Sequence, residues 1–107
     1  MPEYNKLVRD KIPQIIKETG KSFSIKQLDD AEYIKELKKK CQEELLEYLS
    51  AEDDKEAIEE LADILEIIHS LALQHGSSIE KVEETRRQKA EIRGGFKERI
   101  FLEMVED

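Results

Sequence analysis

Residues Glu43 to Asp63 read EELLEYLSAEDDKEAIEELAD, and the fold turns on this stretch. Two helix-forming arms flank a polar break at Ala51 to Lys55. The first arm carries Glu44 and Glu47, the second Glu60 and Asp63. Each pair is spaced i, i+3, so on a helix both carboxylates leave one face with Cβ atoms about 5–6 Å apart. A short turn makes successive helices antiparallel neighbours. The two acidic pairs lie at comparable distances before and after the break, and in such a hairpin they come level.

Working outward, the first arm extends back through Ile34, Leu37, Cys41, Glu44 and Tyr48, in steps of three and four that mark a core-facing seam. Glu44 stands where that pattern expects a leucine. In the second arm Glu60 and Asp63 begin stripes that Ile64, Ile67 and Leu71 continue. A carboxylate aimed at a helix interface is costly unless a cation or hydrogen-bond donors meet it. Four converging carboxylates therefore point to a divalent cation with oxygen ligands, Mg²⁺ or Mn²⁺. Any single helical glutamate is most often just solvated, as much of Glu52 to Glu60 is. The coincidence of two level pairs separates these four from that background.

With 107 residues the chain is expected to form one domain, 1–107. Charged residues make up 41% and the net charge is −8, a balance that repels nucleic acid and anionic membranes, so neither is an expected partner. The longest apolar run, Leu61 to Leu73, is broken by Asp63, Glu66 and His69 and falls short of the roughly 18 residues of a membrane span. Met1 to Asp10 is polar and charged, with no signal-peptide core. The single cysteine, Cys41, sits on the seam and reads as a small buried hydrophobe in a reducing compartment; a cytoplasmic location is expected.

A first helix is expected from near Asp10, with Pro13 in its opening turn and Gly20 ending it. Asp29 or Asp30 can cap the next helix, which runs to about Ser50. A long helix follows to Gly76, then a fourth capped by Ser77 or Ser78 and stopped at Gly94-Gly95. Ser22 to Leu28 alternates weakly through Phe23 and Ile25. The tail Arg99 to Val105 sets Ile100, Leu102 and Met104 against Phe101, Glu103 and Val105, a strand-like pattern that could pair with the first. The expected architecture is all-α, a four-helix bundle to which those two segments could add a minor two-stranded β element. The third helix is apolar around much of its girth, beyond the stripe of about 100° that one wet-sided helix needs. A homodimer or larger oligomer is the natural way to cover it.

Glu43-Glu44-x-x-Glu47, twelve residues, then Glu60-x-x-Asp63 resembles the signature of the MazG-like all-α nucleotide pyrophosphohydrolases. The opening Asn5-Lys6-Leu7-Val8-Arg9-Asp10-Lys11-Ile12-Pro13 and the closing Arg93-Gly94-Gly95-Phe96 resemble a small single-domain branch of that superfamily, one that cleanses nucleotide pools. Together these segments span nearly the whole chain. The resemblance implies Mg²⁺, with Mn²⁺ as a substitute, held by Glu44, Glu47, Glu60 and Asp63. It implies hydrolysis of a nucleoside triphosphate, expected to be non-standard, to monophosphate and pyrophosphate. Glu47 is then the first choice for general base, with Glu44 as its rival. Glu43 either orients a ligand or stays at the surface.

A phosphate ligand also needs cations, and Lys81, Arg86, Arg87, Lys89, Arg93 and Lys97 cluster around the Gly-Gly stop. Lys89 and Arg93 share a helix face, and Arg93 and Lys97 flank backbone able to approach an anion closely. The plainer reading is that basic residues near a helix C-terminus complement its dipole, with Glu83 and Arg87 a surface pair. Asn5, Lys6, Arg9 and Lys11 enter as phosphate ligands through the resemblance alone. His69 and His75 do not form a metal pair on one helix. Glycine-rich phosphate loops, Gly-x-Ser-x-Gly and Cys-x-x-Cys are absent. The chain has no Trp, whereas larger members of the superfamily carry a Trp-containing N-terminal segment. Base recognition is left to Tyr4, Tyr48 or Phe96. Two other functions fit the same residues: hydrolysis of phosphoribosyl-ATP, and a non-catalytic helical interaction module.

Overall fold

The computed structural model describes residues 4–107, and the secondary structure in it is four helices. They are α1 (Ile12–Glu18), α2 (Asp30–Leu49), α3 (Asp54–Gln74) and α4 (Ile79–Arg93). Met1 to Glu3, part of the polar N-terminus, lie outside the described residues. Among the described residues no helix is long and apolar enough to cross a membrane.

Local chemistry sets the helix ends where the residue pattern puts them. Asp29 caps α2 by accepting from the Glu32 amide at 2.9 Å, and Asp53 caps α3 by accepting from the Glu56 amide at 2.8 Å. Ser78 does the same for α4 through Lys81 N–H. Each side-chain oxygen satisfies one of the amides that a helix start leaves without a partner. Pro13 sits in the first turn of α1, where its missing N–H is harmless. At the end of α3 the Ser77 amide donates to Ala72 O and the Gly76 amide to Leu73 O. This six-residue closure needs a left-handed residue, and Gly76 supplies it at φ +70°.

The organising unit is the hairpin of α2 and α3. Only residues 50–53 separate the two long helices, so α3 folds straight back along α2. Leu37 from α2, and Ile67 and Ala72 from α3, are the buried apolar residues among those described. Glu44 is buried with them, only 9% exposed. The helix pairs in contact are α2 with α3 and α3 with α4, whereas α1 packs on no other helix. One chain therefore does not close a bundle.

The expected β element is absent among the described residues. Residues 21–29 and 99–105 are non-helical but unpaired, and most of their side chains are exposed. The tail is apolar on both of its alternating faces, so no single face directs it onto the core and no register is favoured. Two isolated strands more than seventy residues apart also bear a loop-closure cost that one marginal pairing does not recover.

Much apolar surface is left uncovered. Leu46, Leu49, Ile58, Leu65 and Leu73 are each more than half exposed, and so are Phe96, Ile100 and Phe101 in the tail. The accessible surface is 10195 Å², against about 6200 Å² for a compact monomer of 12.5 kDa. The radius of gyration is 18.5 Å, where a compact chain of this length has about 13 Å.

Truncating the hairpin contact tests this architecture. Leu37→Ala is expected to cost roughly 2–5 kcal/mol in urea unfolding. Asp53→Ala, which removes only the α3 cap, is expected to cost about 1 kcal/mol.

Candidate metal centre

The hairpin brings its acidic residues together at the end nearest the turn. Glu44 and Glu47 project from the last turns of α2, and Glu60 and Asp63 from the early turns of α3. Glu44, Glu47 and Glu60 each offer a carboxylate oxygen within 4.8 Å of the other two. The fourth expected member, Asp63, stands outside that triad. Its Oδ1 accepts a 2.7 Å hydrogen bond from the Arg9 guanidinium, reaching in from the segment before α1.

Glu44 is the member most strongly committed to the interior. Its Oε1 lies 3.9 Å from the Lys40 ammonium one turn earlier on α2. Its Oε2, and the Oε2 of half-buried Glu60, are buried with no hydrogen-bond partner. Two such oxygens, on neighbouring carboxylates and without donors, are costly unless a proton or a cation meets them. Burial raises the Glu44 pKa to about 7, with Glu60 as a hydrogen-bond partner for the protonated form and the charges of Glu47 and Asp63 adding to the effect. The same hydrogen bond with Glu44 lowers the Glu60 pKa, but burial and repulsion from Glu47 and Asp63 outweigh it, so Glu60 is also raised.

The donor set fits a small divalent cation. All three converging groups are carboxylates, the ligands Mg²⁺ and Mn²⁺ favour. An octahedral site with ligands near 2.1 Å sets its oxygens about 3–4 Å apart, which the triad meets with small side-chain adjustments. Glu47 is exposed, and an open depression lined by Glu47, Ser50, Ala51, Glu56 and Glu60 leads from the acids to solvent.

The basic residues divide differently from the sequence expectation. Arg9 reaches the acids. Lys6 instead lies over the Tyr4 ring, with its ammonium 5.7 Å from the centroid. Asn5 is exposed at φ 44°, a left-handed backbone that asparagine tolerates. Lys89, Arg93 and Lys97 form no ion pair with the four carboxylates; Arg93 lies in the last turn of α4, where it complements the helix dipole. Glu83 pairs with Arg86 at 2.6 Å rather than with Arg87, the expected partner. Lys40 was missed, although its place four residues before Glu44 on one face was legible. Comparison of the chain with family models, with curated proteins and with solved structures finds no match.

The pH dependence follows from Glu44. Its folded pKa of about 7 lies above the ordinary 4.5, so the folded state holds that proton more tightly than the unfolded chain. This contribution to stability is full below about pH 4.5 and is lost as pH rises through 7. The melting temperature of metal-free protein is expected to fall between pH 5 and 8, more steeply than in Glu44→Gln. At pH 8 that variant is expected to be more stable by ~1–2 kcal/mol, by calorimetry.

Proposed function

We propose that this protein is a small, oligomeric, Mg²⁺-dependent nucleoside triphosphate pyrophosphohydrolase. It would convert a non-standard nucleotide to monophosphate and pyrophosphate and so clear it from the nucleotide pool. The observation that carries this reading is Glu44, a buried carboxylate with a donorless oxygen, beside Glu47 on its own helix and facing Glu60 across the helix hairpin. The resemblance of both acidic pairs and of the two end motifs to the MazG-like pyrophosphohydrolases supplies the reaction class.

Burial suits Glu44 and Glu60 to holding a cation, and Asp63 completes the ligand set. Bound Mg²⁺ supplies neutralisation of the phosphate charge and makes water a better nucleophile. Glu47, the most exposed member of the triad, is the group best placed to take the proton that attacking water loses. Water forms the new bond to the α-phosphorus, the bridge to the β-phosphate breaks, and pyrophosphate leaves with the bond electrons. The acidic chain cannot itself attract a tetra-anion, so substrate binding depends on the cation. Arg9 and the basic residues Lys6, Lys89, Arg93 and Lys97 are the candidates for the outer phosphate charge.

The oligomer rests on a separate observation. Leu46, Leu49, Ile58 and Leu65 are exposed on the hairpin of a chain with about 4000 Å² more surface than a compact monomer, which leaves an apolar face for a partner interface of the standard size, roughly 800 Å² per partner. A second copy of the hairpin would bury those leucines and wall the open depression. Light scattering is expected to report a dimer or larger species, and Leu49→Glu to shift it towards monomer.

Purified protein with Mg²⁺ and a panel of standard and damaged nucleoside triphosphates tests the activity. Monophosphate and pyrophosphate are expected, abolished by EDTA, with Glu47→Gln slowing turnover at least ~100-fold while helical circular dichroism is retained. Turnover of phosphoribosyl-ATP alone would move the substrate to histidine biosynthesis. No turnover of any substrate with Mg²⁺ or Mn²⁺ would leave a helical interaction module.

A further inference from the structure

We propose that Arg9 occupies the acidic site in the metal-free protein, holding Asp63 out of the carboxylate triad until a divalent cation displaces it. The inference rests on the metal-site reading above and deepens it by assigning how the site is kept and opened.

The four acids are spaced alike in sequence, two per helix, yet only three converge. The one that stands apart is the one with a guanidinium on it, at 2.7 Å. Arg9 comes from 54 residues away, and the neighbouring helix α1 packs on no other helix. Helix-on-helix packing of α1 therefore does not bring Arg9 here. The attraction of the acids for a cation supplies a cause, and an arginine fork matches a carboxylate well.

A guanidinium on Asp63 and a divalent cation among the acids compete for the same negative charge. Arginine does not deprotonate in proteins, so that competition is relieved only by moving the side chain away. It leaves easily, because both partners of the pair are substantially exposed, Arg9 at 56% and Asp63 at 39% of their side-chain surface. Exposed pairs of this kind are weak and screened. Once a divalent cation sits among the acids, repulsion between the two positive groups favours release. Asp63 is then free to join Glu44, Glu47 and Glu60. The released Arg9 remains charged and tethered beside the site, available to an anionic ligand brought by the metal.

The test is Mn²⁺ binding to the full-length protein, read from loss of the free-ion electron paramagnetic resonance signal at fixed ionic strength. Wild type, Arg9→Gln, Asp63→Asn and the double variant are compared. Arg9 lies outside the helices, so its loss is expected to leave helical circular dichroism unchanged. Arg9→Gln is expected to tighten Mn²⁺ binding roughly fivefold, the scale of a pair in direct contact. Asp63→Asn is expected to weaken it, and adding Arg9→Gln to Asp63→Asn to change nothing further. Equal affinity in wild type and Arg9→Gln would overturn the proposal while leaving the metal site standing. The same tightening in both backgrounds would also overturn it, since that marks a general charge effect rather than exchange at Asp63. Absence of Mn²⁺ binding in every form would overturn the metal-site reading and this inference with it.

Discussion

The carboxylate of Glu44, set between two helices with one oxygen lacking a donor, is the interaction to which the rest of the structure answers. An interior at this position would be more stable with leucine, as the seam of Leu37 and Cys41 shows by its spacing. Lys40 offsets part of the charge at 3.9 Å, and a proton offsets more when one is available. Glu47 and Asp63 add repulsion instead of relief. Such an arrangement is maintained by the hairpin despite its electrostatics, and it leaves the two helices with a standing affinity for positive charge. Lys40 at Glu44 and Arg9 at Asp63 are the protein's own partial answers to it.

Much of this was legible in the residues. Helix ends declared themselves because Asp29, Asp53, Ser78 and Gly76 act locally, each through a bond to backbone within five positions. The convergence of Glu44, Glu47 and Glu60 followed from helical spacing and a short turn, which are also local. The position of Asp63 was not legible, because it depends on a side chain 54 residues away whose approach no periodicity encodes. The strand pairing was misjudged for a related reason. Alternation in residues 99–105 describes what one segment can do, but pairing needs a second segment in reach, and none pairs with it among the described residues.

The unburied leucines and the acidic site are connected through α3. The side of that helix that carries Glu60 and Asp63 also carries buried Ile67, while Ile58 and Leu65, on the opposite side, remain at the surface. A core holding so few buried side chains contributes little hydrophobic stabilisation, which grows with apolar area removed from water. The single chain thus supplies the acids and one wall of the depression, but little of the rigidity that holding a cation at fixed geometry requires. Covering α3 from outside would tighten the same hairpin that positions the carboxylates.

The connection between α2 and α3 has a consequence of its own. Ser50 closes α2 with amide bonds to Leu46 and Glu47 carbonyls, and Asp53 opens α3 by capping the Glu56 amide, so only Ala51 and Glu52 lie between the two anchors. Register along the hairpin is accordingly set by loop length. Each residue added to or taken from a helix turns its side chains by about 100°. A change in length that fed into either helix would swing its acidic pair off the shared face while the leucine seam found new partners. Descent with insertions here would preserve a helical hairpin and scatter its carboxylates, whereas additions before α1 or after α4 would leave them level. Lengthening absorbed into α2 or α3 is thus what the acidic face does not tolerate, whereas lengthening at the two ends of the molecule leaves it intact.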